Sequence, residues 1–288
     1  LLTPTLGAST SEMNLGEVLR KYRDNVTSEK RCADNESYAI NGFLRKCSKL
    51  ASRKVSKLRS SDFVHYRDQR VKSMKAATVV RELGWLQHAL DVACEDWGQN
   101  LPQGNPVKLV RRPKIDNRRE RRLQQGEWQA LLEAVNQARS PLMQPLLKLA
   151  LATGMRRGEL LSMQWKHVDL ERRTVFLPKT KNGCARTVPL SPNAVAVLME
   201  LPCGDDRCLP LSGNSVRLAF ERLRQRAGVV DLTFHDIRHE AVSRFVESGL
   251  SLAQVQMISG HRDLRMLMRY THLQTDDIVA KLASAELT

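Results

Sequence analysis

"ISGHRDLRMLMRYTHL", Ile258–Leu273, puts His261, Tyr270, His272 and three arginines into one apolar helical pattern. The chain has only 4 Tyr, and one of them stands among these cations. At about 100° per residue, an unbroken helix would turn His261 and Tyr270 to opposite faces. Gly260 supplies a helix stop, and Asp263 can cap a new start. A break there lets the imidazole and the phenol face one cavity, although a purely structural turn would read the same.

Working outward, 288 residues suggest about two domains. Hydrophobic content of 42% is enough to bury cores, and only 5% aromatic content points to Leu-, Val- and Ala-rich helical packing. The net charge of +15 calls for a polyanionic partner, nucleic acid before membrane surface. No run of about 18 apolar residues predicts a spanning helix. The first residues, "LLTPTLGAST", lack the basic and apolar regions of a secretion signal. The 6 Cys form no CxxC pair, which reads as reduced structural thiols in a cytoplasmic protein.

The spacing predicts helices over 12–24 (with Ser11 as a possible cap), 29–49, 61–72 and 76–98. In the last, Val79, Leu83, Leu86, Leu90, Ala93 and Trp97 form one buried face. Residues 1–100 therefore read as a small helical domain. "GQNLPQGNPVKLVRRPKIDNRRERR" then breaks the pattern with three Pro and two Gly, and 101–122 reads as a basic linker. Its Lys108, Arg111, Arg112, Lys114, Arg118, Arg119, Arg121 and Arg122 face only Asp116 and Glu120 in sequence. The run is either a solvated strap or a strap lying on phosphates, and the charge of the whole chain favours the second.

A second domain, 123–288, is expected to be mainly α with a small antiparallel β-sheet. Helices are predicted at 126–138, 141–152, 156–164, 191–201, 214–227, 235–248, 251–259, 263–273 and 275–285. Between them, "RTVFLPKTKNGCARTVPL" alternates as a hairpin with its turn at Asn182-Gly183.

Three segments carry unusual polar groups at helix starts or turns. "ATGMRRGELLSMQW" sets Arg156 and Glu159 after Gly154. "TFHDIRHEAV" sets His235, Arg238 and His239, and the opening stretch adds His261 and Tyr270. The hairpin brings Lys179 and Lys181. His235 and His239 have metal-ligand spacing, but the zinc-hydrolase glutamate is missing between them. Paired arginines suit a planar grip on phosphate oxygens. A tyrosine can be a covalent nucleophile, given a base or a cationic pocket to offset its pKa near 10. The set is what phosphoryl transfer to tyrosine requires, with cations in place of a metal ion. There is no P-loop, so ATP is not indicated.

These residues resemble the tyrosine recombinases, or phage integrase family. The resemblance rests on "TGMRRGEL", "KTKNGCARTVPL", "HDIRH" and "SGHRDLRMLMRYTH", in the family's order. It covers about 120–285 and extends loosely to the first block, which resembles the family's core-binding domain. It implies a site-specific recombinase that breaks and rejoins double-stranded DNA through a 3′-phosphotyrosyl link, with no cofactor. Arg156 and Arg238 would grip the scissile phosphate. Lys181, rather than Lys179, would protonate the departing 5′ oxygen. His235 would assist proton transfer, His261 would hydrogen-bond the phosphate, and Tyr270 would attack. Glu159 would orient its neighbours, and His239 and His272 are taken as structural. The family acts as homotetramers on DNA, in some cases with accessory DNA-bending or directionality proteins. Arg217, with its neighbours on 214–227, is a candidate for contact with DNA. The larger integrases carry an arm-binding domain, for which there is room here only if the N-terminus is truncated. The alternatives are a type IB topoisomerase-like enzyme and a catalytically silent DNA-binding protein.

Overall fold

The computed structural model describes residues 12–31, 33–116, 119, 121–178 and 185–270. The chain divides into two compact units, Leu1–Arg118 and Arg119–Thr288. That boundary falls inside the basic stretch expected to be a linker. Ser11, Arg118, Lys179, Lys181, the Asn182-Gly183 turn, His272 and the helix expected at 275–285 lie outside the described residues.

The first unit holds α1 (Leu15–Tyr22), α2 (Ala33–Lys46), the short α3 (Ser48–Ala51), α4 (Ser60–Val71) and α5 (Ala76–Glu95). α1 starts at Leu15 because Asn14 and Glu17 close a capping box: Glu17 N donates to Asn14 Oδ1 at 2.9 Å, and Asn14 N to Glu17 Oε2 at 2.7 Å. The cap residue Asn14 is itself extended and bridges Lys54, with Val55 N donating to Met13 O beside it. Leu15, Val18, Leu19 and Tyr22 then fall on one stripe, and all are buried. On α5, Val79, Leu83, Leu86, Leu90 and Ala93 are fully buried, as their spacing predicts. The helix stops at Glu95, and Trp97 beyond it lies under the Lys21 ammonium, 4.4 Å from the ring centre.

Residues 101–110 differ from the expected linker. Val107 and Val110 are buried in the first unit's core, and Asn105 Nδ2 donates to Gln87 O and Asp91 Oδ1 at 2.8 and 2.9 Å. Isolated anchors of this kind have no period, so hydrophobic patterning misses them.

The second unit is mainly helical, with one small antiparallel sheet. Its helices are α6 (Glu127–Val135), α7 (Met143–Thr153), α8 (Arg157–Ser162), α9 (Pro192–Met199), α10 (Gly213–Arg226), α11 (Phe234–Glu247) and α12 (Leu252–Ser259). The sheet has order β1 (Val168–Asp169), β2 (Thr174–Leu177), β3 (Arg186–Pro189). Val175 pairs with Val188 and Phe176 with Thr187. Both valines are buried and Phe176 is exposed, so alternation sets the register. β1 is an additional two-residue edge, too short to carry a sequence pattern.

Two glycines position the site. Gly154 ends α7 at φ 59°, and a Cβ there would meet the Phe245 ring at 3.2 Å. Gly260 ends α12 at φ 66°, and a Cβ there would sit 2.7 Å from the Arg186 guanidinium. Both take the left-handed conformation; a side chain at Gly260 would force the Arg186 guanidinium aside, and one at Gly154 would press on the Phe245 ring. After Gly260 the described part of the helix expected over 263–273 forms two 3-10 turns instead, Leu264–Met266 and Met268–Tyr270. The expected break is present, with Arg265 N donating to Asp263 Oδ1 at 2.9 Å. No helix among the described residues is long and apolar enough to cross a membrane.

Candidate active site

Three separated segments of the second unit meet at the turn Ser259–Gly260–His261. Arg238, on α11, is buried, and it donates to Gly154 O and to Ser259 O, each at 2.7 Å. The same guanidinium lies 3.4 Å from His261 Nε2. Arg156, at the start of α8, donates to Gly260 O at 3.0 Å and to Glu159 Oε1 at 2.9 Å. His261 is fixed in turn by Ser259 Oγ, 2.7 Å from Nδ1. The left-handed ends of α7 and α12 expose the carbonyls that the two arginines hold. A guanidinium has more N–H donors than these bonds use, so donors remain for an incoming anion.

Glu159 is the acidic anchor. Its carboxylate accepts from Arg186 Nη1 and Nη2 at 3.0 and 2.8 Å, and from Arg156 N at 2.9 Å. Burial alone would raise its pKa, but the hydrogen bonds from Arg186 and Arg156 outweigh burial and hold it at about 2. Arg186 was not singled out in the sequence. Its only signal is an arginine on the strand that follows the hairpin turn, at a half-buried position.

Arg156, Arg157, Arg217, His235 and Arg262 line an open cavity of about 890 Å³. This brings Arg217 and His235 alongside Arg156, with both side chains exposed. Tyr270 lies on another face of α11. It is 8% exposed, its ring packs with Val242, Val255 and Leu267, and its hydroxyl is hydrogen-bonded to His239 Nδ1. A smaller cavity there, about 140 Å³, is lined by Tyr270, His239, Ser243, Arg269 and the arginines at 119, 121 and 122. Burial raises the phenol's pKa, partly offset by Arg269 and Arg238. The sequence reading took His239 as structural; the residue touching the phenolic oxygen is this one.

Four cations of the basic stretch, Lys108, Arg119, Arg121 and Arg122, are paired with carboxylates. Arg119 pairs with Asp236 at 2.7 Å and with Asp231 at 3.1 Å. Arg121 pairs with Glu127 at 2.5 Å, and Arg122 with Glu240 at 3.1 Å and with Glu247. Asp236, Glu240 and Glu247 belong to α11, so Arg119 and Arg122 brace the helix that carries His235, Arg238 and His239. In the first unit, Lys108 pairs with Asp91 at 2.8 Å, and Arg112 donates to Gln87 Oε1 at 2.7 Å. Arg111 and Lys114 are exposed.

Two imidazoles are held neutral. Burial, followed by the charges of Arg238 and Arg156, pushes His261 down to about 3. Burial and then His235 push His239 down to about 4. Between these values and about 6.5 the unfolded chain binds more protons. Stability is therefore full above pH 6.5 and is lost as pH falls below it. The slope is at most about 1.4 kcal/mol per pH unit for each ring, less because solvent screens half-buried groups. The thermal unfolding midpoint should hold steady from pH 8 to 7 and fall between pH 6.5 and 5, with His261→Asn flattening the fall. A midpoint unchanged over that window would contradict the burial of both rings.

A profile of the phage integrase family matches residues 121–276. The shufflon-specific DNA recombinase of Escherichia coli is 38% identical over 285 residues, spanning 94% of this chain and 72% of that protein. A putative integrase/recombinase of Haemophilus influenzae is 30% identical, spanning 92% of this chain and 88% of its own length. Among solved structures, a lambda integrase dimer bound to a COC′ core site superposes with a TM-score of 0.76 at 21% identity, covering 91% of this chain and 78% of that one. At that identity the superposition speaks for the fold alone. With the arginine–histidine turn, the anchored glutamate and the tyrosine in one unit, and relatives of this similarity over nearly its whole length, the chain belongs to the phage integrase family and is a tyrosine-type site-specific DNA recombinase.

Proposed function

We propose that this chain cuts and rejoins duplex DNA through a covalent 3′-phosphotyrosyl intermediate on Tyr270. The observation that carries the reading is the convergence of Arg156 and Arg238 on the turn that holds His261, from 104 and 21 residues away along the chain. Positive groups preset around one point stabilise a phosphorane-like transition state without reorganising. In the forward step the phenolic oxygen bonds to phosphorus and the P–O5′ bond breaks. The phenolic proton passes to His235, and the 5′ oxygen takes a proton from Lys181. His235, in the cavity beside Arg156, is available to relay protons with solvent. Glu159 holds Arg156 in place. The phosphotyrosyl bond conserves the energy of the broken phosphodiester, so rejoining by a 5′ hydroxyl needs neither ATP nor a metal cofactor.

The same reading includes a homotetramer on DNA, accessory proteins that bend DNA or set direction, and action in the cytoplasm at the nucleoid. The lambda integrase tetramer solved on a Holliday junction supports the assembly by analogy. Arg111, Lys114 and Arg217, all exposed, are the described cations best placed for duplex phosphates; Lys108 and Arg112 would first leave Asp91 and Gln87, and Arg118 lies outside the described residues. Arg119, Arg121 and Arg122 would reach DNA only by exchanging carboxylates for phosphates.

The test is to incubate the protein with a library of nicked duplexes, in which the 5′ fragment leaves irreversibly, and then to denature in detergent. A DNA-linked species should form, with the nucleotide on the peptide containing Tyr270. Failure to form any adduct across the library would remove the enzyme reading. Duplex binding should also weaken steeply between 50 and 200 mM salt, by about 10³-fold or more for six or more phosphate contacts.

A further inference from the structure

We propose that His239 is the positioning residue of the nucleophile, a role that rests on the reading of Tyr270 as the attacking group. His239 follows Arg238 on α11. One residue of helix turns the chain by about 100°, so the two side chains leave the helix in different directions. Arg238 reaches the Ser259–His261 turn, while His239 reaches the phenolic oxygen of Tyr270. The helix that grips the phosphate therefore also holds the nucleophile, and the distance between them is set by adjacent residues of one rigid element.

The direction of the hydrogen bond follows from its surroundings. The groups around His239 are His235, Asp236, Arg238 and Arg269, together with Arg119, Arg121 and Arg122 across the small cavity. Burial, helped by the neighbouring cations, keeps the imidazole neutral, and burial keeps the proton on the phenol against the pull of Arg269 and Arg238. The phenol O–H donates and Nδ1 accepts, which puts the ring proton on Nε2. With its proton turned toward His239, the oxygen presents its lone pairs elsewhere, where an electrophile can approach. The ring itself is fixed by Val242, Val255 and Leu267 and lies 33° from the His239 plane, with the centres 5.9 Å apart. The His235 ring meets His239 edge-on at 4.9 Å and lies at the cavity side, so it supports the His239 ring.

His239→Asn, His239→Gln and His239→Leu separate this role from others. An asparagine oxygen falls near the place of Nδ1, a glutamine amide falls near Nε2, and leucine offers no acceptor. Adduct formation on a nicked duplex is measured in a single turnover, beside duplex affinity and thermal midpoint. His239→Leu should form adduct about 100-fold more slowly, the scale of a small misplacement of a reacting group. Its duplex affinity should stay within about threefold of wild type, since Arg156, Arg238 and the exposed cations are untouched. His239→Asn should restore the rate to within about fivefold of wild type, and His239→Gln should not. If His239→Leu matches or exceeds wild type, the contact is incidental or restraining and the proposal fails. If a folded His239→Asn is as slow as His239→Leu, the imidazole removes the proton rather than positioning the oxygen, and the proposal fails in that form. Should leucine not fold, the comparison of asparagine with glutamine still decides. Wild-type protein without adduct in the same experiment would instead overturn the nucleophile assignment beneath it.

Discussion

Tyr270→Phe is expected to bind duplex DNA within about twofold of wild type and to form no detectable covalent adduct, a loss of at least about 10⁴-fold in the cutting step. The substitution removes one oxygen. The ring keeps its contacts with Val242, Val255 and Leu267, so the apolar cluster is preserved. What is lost in the free protein is a single hydrogen bond to His239, worth about 1 kcal/mol, and the unfolding midpoint should drop only slightly. Binding depends on cations that the substitution leaves alone. The two measurements are a mobility shift on intact duplex and a denaturing gel on nicked duplex. Adduct persisting in the variant at more than about one part in a hundred of the wild-type rate would place the nucleophile elsewhere. The other candidates are limited. Tyr22 and Tyr66 are buried in the first unit, with Tyr66 donating to the buried Glu82 at 2.8 Å, which leaves Tyr38 as the exposed phenol to be tried next.

The limits of the sequence reading follow from the range of each interaction. The α5 stripe is legible because five apolar residues repeat on one face and the burial they predict is local. The break at Gly260 is legible for a similar reason: a glycine stop and an aspartate cap are neighbours in the chain. Arg186 is different. Its importance comes from Glu159, 27 residues earlier, and from the close approach of its guanidinium to Gly260. Nothing within its own strand announces either contact. The arginines at 119 and 122 mislead in the opposite sense, since a charge count along the stretch finds too few acids near by. The acids are Asp236 and Glu240, 117 and 118 residues away. His235 and His239 share a helix face by spacing, and only the landing point of the 3-10 turn at Tyr270 decides which of them meets the phenol. The roles of Arg156, Arg238, His261 and Tyr270 came from motif resemblance; spacing alone favoured a capped helix and a solvated arginine. Lys181 and the C-terminal segment remain expectations, outside the described residues.

Glu159→Ala should be the most destabilising single substitution in the site, costing about 3–5 kcal/mol. The carboxylate is 4% exposed and receives the Arg186 fork, the Arg156 side chain and the Arg156 backbone N–H. Truncation leaves two guanidinium groups, each largely out of water, without their common counter-ion. Glu159→Gln keeps the shape and an acceptor for the backbone N–H but not the charge, so it should fall between alanine and wild type. The double variant Glu159→Leu with Arg186→Leu should recover more than half of the single loss, because the stranded cation goes with its partner. Acid titration checks the same pair without mutation. A carboxylate held at about 2 in the folded chain, against an ordinary value near 4.5, contributes stability that is present above pH 4.5 and disappears as pH falls toward 2. The wild-type protein should lose about 3 kcal/mol across that window from this group, and Glu159→Gln should lose correspondingly less. Activity separates the packing role from the chemical one. Arg156 in Glu159→Gln keeps its bond to Gly260 O, so adduct formation should fall less than in Glu159→Ala when both are measured below their unfolding midpoints. A cost under about 1 kcal/mol for Glu159→Ala would mean that solvent reaches the carboxylate site. Arg156 and Arg186 would then be held mainly by the Gly260 and Ile258 carbonyls.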